Sequence, residues 1–111
     1  MGRYDLVFGD IILVEVPFTD KSEVKLSPAL VLFEEKNIVI IAGITSNLKM
    51  GGILLPKSEG LILDSVLKLN YIFTVSEKSR IKKKLTHLSE EKKKEICENL
   101  LGKFKICIEN F

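Results

Sequence analysis

A chain of 111 residues is long enough for one domain with a modest core and too short for two. With 46% hydrophobic and 29% charged residues it is globular rather than disordered. A net charge of +2 and a pI near 8.5 fall well short of the bias that by itself marks a nucleic-acid binder.

With no Trp and 7% aromatic residues, a broad base-stacking surface is excluded, and Phe18, Phe33, Tyr71 and Phe73 are the rings available. Asp, Lys or Gly interrupts every apolar run before it reaches the length of a membrane span, and the opening MGRYDLVFGD has no apolar stretch behind a basic one. The expected location is the cytoplasm, with no membrane partner. Cys97 and Cys107 lack zinc-ligand spacing, which leaves buried, reduced thiols as the expectation and gives no reason to expect a metal or other cofactor.

Asp10 to Val16 reads as a first strand of β-branched and apolar residues, ended by Pro17 and the polar loop through Glu23. A second strand runs from Ala29 to Phe33. Glu34-Glu35-Lys36-Asn37 turns the chain into a third, Ile38 to Ile44, so the first three are sequential and antiparallel. Thr45-Ser46-Asn47 and Lys49-Met50-Gly51-Gly52 form a loop whose glycines open backbone conformations closed to other residues. Ile53 to Pro56 is a short strand, and Ser58-Glu59-Gly60 a turn. A longer strand starts at Ile62 and runs to Val75 with a bend or bulge.

The last third is helical. Ser89 is the expected N-cap, with Glu90 and Glu91 in the first turn, where carboxylates complement the helix dipole. Ile96, Leu100 and Phe104 at i, i+4 and i+8 direct one stripe to the core, and Lys92 to Lys94 are expected in solvent. Leu85 and Leu88 would staple the helix start to the body. Lys105 to Glu109 alternates polar and apolar residues, as a short final strand does. Many short strands closed by one helix predict a mainly β, α+β fold: a small SH3-like barrel of antiparallel strands with a C-terminal helix.

The segments Gly9-Asp10-Ile11-Ile12-Leu13-Val14, Pro28-Ala29-Leu30-Val31-Leu32, Ile44-Thr45-Ser46, Asp64-Ser65-Val66 and Phe73-Thr74-Val75 follow one another at spacings similar to those of the MazF/PemK toxin family, and Leu88-Ser89-Glu90-Glu91 resembles the start of its C-terminal helix. The resemblance spans nearly the whole chain as a single domain. It implies a homodimeric, metal-independent endoribonuclease that cuts single-stranded RNA through attack of a ribose 2′-OH on the neighbouring phosphate. It also implies an antitoxin protein whose tail fills the RNA groove.

Such an attack needs a base, an acid and a cation or donors for the phosphate. The family places an Arg immediately before the Pro of the second strand; here that residue is Ser27, which donates a hydrogen bond but carries no charge. Lys25 either reaches the same space as a point charge or is an ordinary loop lysine. The resemblance assigns Glu23 to proton transfer or orientation and Thr45 to the scissile phosphate, with Ser46, Asn47 and Lys49 as RNA contacts. Lys68 and Asn70 match an Arg/Asp pair of some members. Lys68 keeps the charge, Asn70 cannot act as a carboxylate base, and on a regular strand the two face one side. Ser27 and Asn70 leave open a second reading, a catalytically degenerate homologue that binds RNA or protein. His87 is read as a surface or interface residue.

Overall fold

The computed structural model describes residues 6–17 and 24–111. Six strands form one antiparallel sheet: β1 (Asp10–Pro17), β2 (Val24–Glu35), β3 (Ile38–Thr45), β4 (Ile53–Leu55), β5 (Ser65–Val75) and β6 (Ile81–His87). Their order across the sheet is β4-β5-β3-β2-β1-β6, curled into a half-barrel and followed by one helix, α1 (Glu90–Glu109). The expected fold class is the one observed.

β1, β2 and β3 carry near-continuous apolar runs because their side chains are buried on both faces of the curled sheet. Ile11, Leu30, Ala42, Ile44, Leu55 and Leu67 pack on one face with Leu88 and Ile96, so this face lies under the start of α1. Ile12, Val14, Ala29, Val31, Val39 and Ile41 pack on the other with Leu6, Val75 and Ile81. The alternation of Ile11 with Ile12, and of Leu30 with Ala29 and Val31, follows from the two-residue period of a strand. β2 and β3 are joined by a tight hairpin with Lys36 at φ 52° and Asn37 at φ 67°, the double left-handed geometry that matches strand twist.

The gap between the sheet's edge strands is bridged by the 3-10 turn Lys57–Glu59, which follows β4. The Thr86 hydroxyl of β6 donates to the Glu59 carbonyl at 3.1 Å. The Glu59 carboxylate accepts from the Ser89 N–H at 2.8 Å and from the Ser89 hydroxyl at 2.9 Å. Gly60 closes the turn at φ 105°, and a Cβ there would lie 2.3 Å from Thr86 Oγ1. Ser89 is the N-cap of α1, its Oγ accepting from the Lys92 N–H at 3.1 Å.

β6 has no counterpart among the expected strands, because its run of three lysines hides a strand whose apolar residues are few. Four expectations need correction. Ile62 to Asp64 lie outside β5, and Ile62 is 86% exposed. Residues 105 to 109 continue α1 instead of forming a strand. Cys97, Cys107 and Phe104 are exposed, because α1 packs on the body through Ile96 and Leu100 and then extends beyond it. Lys92 and Lys93 are largely covered, Lys92 donating to the Leu54 carbonyl at 2.9 Å and to Glu95 at 2.7 Å. No helix among the described residues is long and apolar enough to cross a membrane.

Candidate functional site

β3 lies between β2 and β5, and the register Ala29↔Gly43↔Lys68 lines up the three strands at one level. One step along β3, from Gly43 to Ala42, corresponds to four along β5, from Lys68 to Ile72. Leu69, Asn70 and Tyr71 are therefore a bulge without partners on β3, which re-aims the side chains around it. The Tyr71 ring then lies 5.6 Å from Lys68 Nζ, close enough for a cation–π contact. Lys68 also donates to the Gly51 carbonyl. The loop carrying Gly51 approaches β5 closely because Gly52 has no side chain: a Cβ there would sit 2.3 Å from the Leu67 carbonyl oxygen.

A cavity of about 150 Å³ opens at this point, lined by Ser27 and Pro28 of β2, Thr45 of β3, and Lys68, Tyr71 and Phe73 of β5. It adjoins a larger hollow of about 610 Å³ that shares Ser27, Pro28, Ile44 and Thr45, adds Lys25 and Ser46, and is walled by apolar side chains including Leu26 and Leu63. In the smaller cavity Lys68, the hydroxyls of Ser27 and Thr45 and the rings of Tyr71 and Phe73 thus meet. A set of this kind can hold an anion next to a flat, stackable group and can offer it neutral donors.

The match to known families comes from the same strands: residues 8–103 match the family described as PemK-like, MazF-like toxin of type II toxin–antitoxin systems. The chain belongs to this family. No curated protein matches its sequence significantly. Members of the PemK/MazF family are toxins, typically endoribonucleases, that act opposite an antitoxin and are typically dimeric.

In this PemK/MazF-family chain, Ser27, Thr45 and Lys68 come together in one cavity, and Lys25 and Ser46 join Ser27 and Thr45 in the adjoining one. Asn70 does not enter the smaller cavity. The bulge turns it to a separate hollow that it shares with Lys68, Asn99 and Lys103. Thr45 Oγ1 accepts from the Asn47 N–H at 3.1 Å and Asn47 Oδ1 from the Lys49 N–H at 3.1 Å, so Asn47 shapes the turn after β3. Lys49 is exposed on that turn. Glu23 and Phe18 lie outside the described residues. Phe33 lies apart, on the β2–β3 hairpin beside Ile38 and Ile40.

Two further features of this region come from the fold. Lys83 lines the larger hollow with Leu13 and Leu85, whereas its neighbours turn away, Lys82 to Glu15 at 3.5 Å and Lys84 to Asp10 at 3.4 Å. Strand alternation separates them, a signal that the run of three lysines masks in the sequence.

The second is a charge cluster at the start of β1. Asp10 is fully buried and accepts from the Val7 N–H at 3.0 Å. It also bonds His87 Nδ1 at 2.7 Å, and His87 Nε2 in turn meets Lys93 Nζ at 2.9 Å. Burial pushes the Asp10 carboxyl upward, but the Val7 N–H, His87 and Lys84 outweigh it and hold its pKa below the ordinary 3.8. The Lys93 ammonium bonds Glu90 and holds that carboxyl low as well.

Proposed function

We propose that this chain is a toxin endoribonuclease that cleaves single-stranded RNA without a metal, in the cytoplasm, as a homodimer of one-domain subunits held inactive by a cognate antitoxin. The carrying observation is the meeting of Ser27, Thr45 and Lys68, from three different strands, at one cavity beside Tyr71 and Phe73. Membership of the family supports the same reading.

In this scheme the 2′-OH attacks the adjacent phosphorus, the new O–P bond closes a cyclic phosphate, and the bond to the 5′ oxygen breaks. The proton of the 2′-OH passes to a base, for which Glu23 is the carboxylate the family pattern assigns, and the departing 5′ oxygen takes up a proton. Lys68 and Lys25 supply positive charge to the phosphate, and the Thr45 and Ser27 hydroxyls donate to its oxygens. Tyr71 offers a face on which a base stacks. Ser46, Asn47 and Lys49 follow Thr45 along the turn as contacts for flanking nucleotides. The apolar walls suit an antitoxin segment occupying the same cleft.

The test is incubation with single-stranded RNAs of varied sequence in the presence of chelator. Fragments ending in a cyclic phosphate are expected; intact RNA across the set would overturn the reading. Ser27, uncharged where the family carries Arg, and Asn70, turned out of the cavity, favour a second reading in which the chain binds RNA or antitoxin without cutting. Gain of cleavage by Ser27→Arg in an otherwise silent chain would select it.

A further inference from the structure

β4 pairs with β5 only as far as Ile53↔Leu67, so β5 from Lys68 to Asn70 has no strand beside it on that side. This uncovered edge, the Gly51-Gly52 loop and one side of α1 border a hollow of about 440 Å³. Asn99 and Lys103 reach it together, because residues four apart share a side of a helix. The Leu69–Tyr71 bulge brings Asn70 to the same hollow, and Lys68 lines both it and the smaller cavity beside Ser27 and Thr45. Among the described residues, Lys103 has no ion pair and the Asn70 side chain no hydrogen bond. Asn99 donates its Nδ2 to the Glu95 carbonyl at 3.0 Å, which leaves its Oδ1 to accept.

We infer that this hollow is a second nucleotide site, taking the RNA residue next to the scissile phosphate. Lys103 pairs with the phosphate of that residue, and Asn70 and Asn99 read the edge of its unpaired base. The inference rests on the RNA substrate proposed above and adds a specificity site to it; it is independent of whether the RNA is cut. A strand whose phosphate sits at Ser27, Thr45 and Lys68 continues on one side into the hollow walled by Leu26 and Leu63, and on the other past Lys68 into this polar one. An ammonium holds a phosphate but carries no information about the base. An amide offers a donor and an acceptor side by side, which matches the adjacent donor and acceptor on the edge of an unstacked base. A carboxylate of a protein partner would engage Lys68 and Lys103 and leave the Asn99 acceptor idle, so the donor set favours a nucleotide.

Equilibrium binding of the full chain to single-stranded 2′-fluoro RNAs tests it, since these lack the attacking hydroxyl and stay intact. Their sequence is varied one position at a time, and each Kd is measured over a range of salt. Lys103→Ala is expected to weaken binding of every sequence alike and to reduce the slope of log Kd against log salt by about 0.7, the value of one phosphate contact on a single strand. Lys103→Arg should keep the slope. Asn70→Ala and Asn99→Ala should leave the slope unchanged and relax the base preference at one position roughly tenfold. All three residues are exposed, so circular dichroism should be that of the wild type. A Lys103→Ala slope equal to the wild type, or a base preference absent from the wild type or untouched by both asparagine variants, would overturn the site while leaving the RNA substrate standing. An unchanged RNA slope together with weaker binding of an oligoglutamate peptide by Lys103→Ala would instead assign the hollow to an acidic protein segment. A wild type that binds none of the RNAs would overturn both readings.

Discussion

At Asp10 a carboxylate wholly out of water is met by a backbone N–H, a histidine and a lysine, and the histidine's other nitrogen is taken by a second lysine. At Lys68 an ammonium is held by one carbonyl and the face of one ring, and the hydroxyls of Ser27 and Thr45 line open space beside it. By residue type the first cluster has the look of catalytic machinery, and the second does not. Their surroundings reverse that order. The Asp10 cluster is closed on itself and ties β1, β6 and the first turns of α1 together. The Lys68 cluster keeps binding capacity at an opening, which is what a substrate needs.

The sharpest way to break this comparison is to remove Lys68. Lys68→Ala is expected to lower kcat/KM for RNA cleavage about 10²–10³-fold, the usual loss when a charge-stabilising group leaves an active site. The melting temperature should stay within a few degrees, since the side chain is half-exposed and its one bond is to a loop. Unchanged cleavage would move the chemistry elsewhere. Asp10→Ala should do the opposite. Leaving the Val7 N–H and His87 without their acceptor should cost about 2–4 kcal/mol of stability in urea unfolding. Activity per folded molecule should be retained, and its loss at full stability would make the closed cluster part of the site.

How far these two regions are legible in the sequence differs for a physical reason. Ser27 precedes Pro28, Thr45 ends β3 and Lys68 follows Asp64-Ser65-Val66, positions whose order along the chain resembles that of the family, so the residues can be named before their geometry is known. A bend or bulge in this strand is legible, but the place and length of the three-residue bulge at Leu69–Tyr71 are not, because the apolar pattern runs straight through; it is what separates Asn70 from Lys68 in the cleft. The Asp10 cluster joins residues 77 positions apart through β6, a strand hidden by its lysines. For α1, the apolar stripe at Ile96 and Leu100 was legible, but the point where the sheet ends beneath it depends on strand lengths and curl. Phe104, Cys97 and Cys107 therefore look internal in the sequence and are external in the fold.

Acid sharpens the comparison further, with a smaller effect than Asp10→Ala. Because the folded-state pKa of Asp10 is depressed below the ordinary 3.8, its contribution to stability is fully present above that value. It is lost as pH falls through the depressed folded pKa. Urea unfolding followed from neutral pH to below pH 3.8 should show a decline in this window that Asp10→Asn removes, since the amide does not titrate. A decline of the same size in Asp10→Asn would assign the acid sensitivity to other carboxylates.

The smallest expected effect falls where the closed cluster's helix begins. Ser89 caps α1 through its Oγ and is gripped at both N–H and hydroxyl by Glu59, the residue that bridges the two edges of the sheet. Ser89→Ala removes the cap and one of the two Glu59 bonds, for about 1 kcal/mol, or a fall in Tm of roughly 4–8 °C in a chain of this size. Ser89→Thr, which keeps the hydroxyl, should restore most of it. The pair Ser89→Ala and Glu59→Ala should be less than additive, because each removes the same bond. Full additivity would mean that Leu88 and Ile96, both buried against the sheet, hold the helix start on their own, and that the polar bridge across the open edge is incidental to closing the half-barrel.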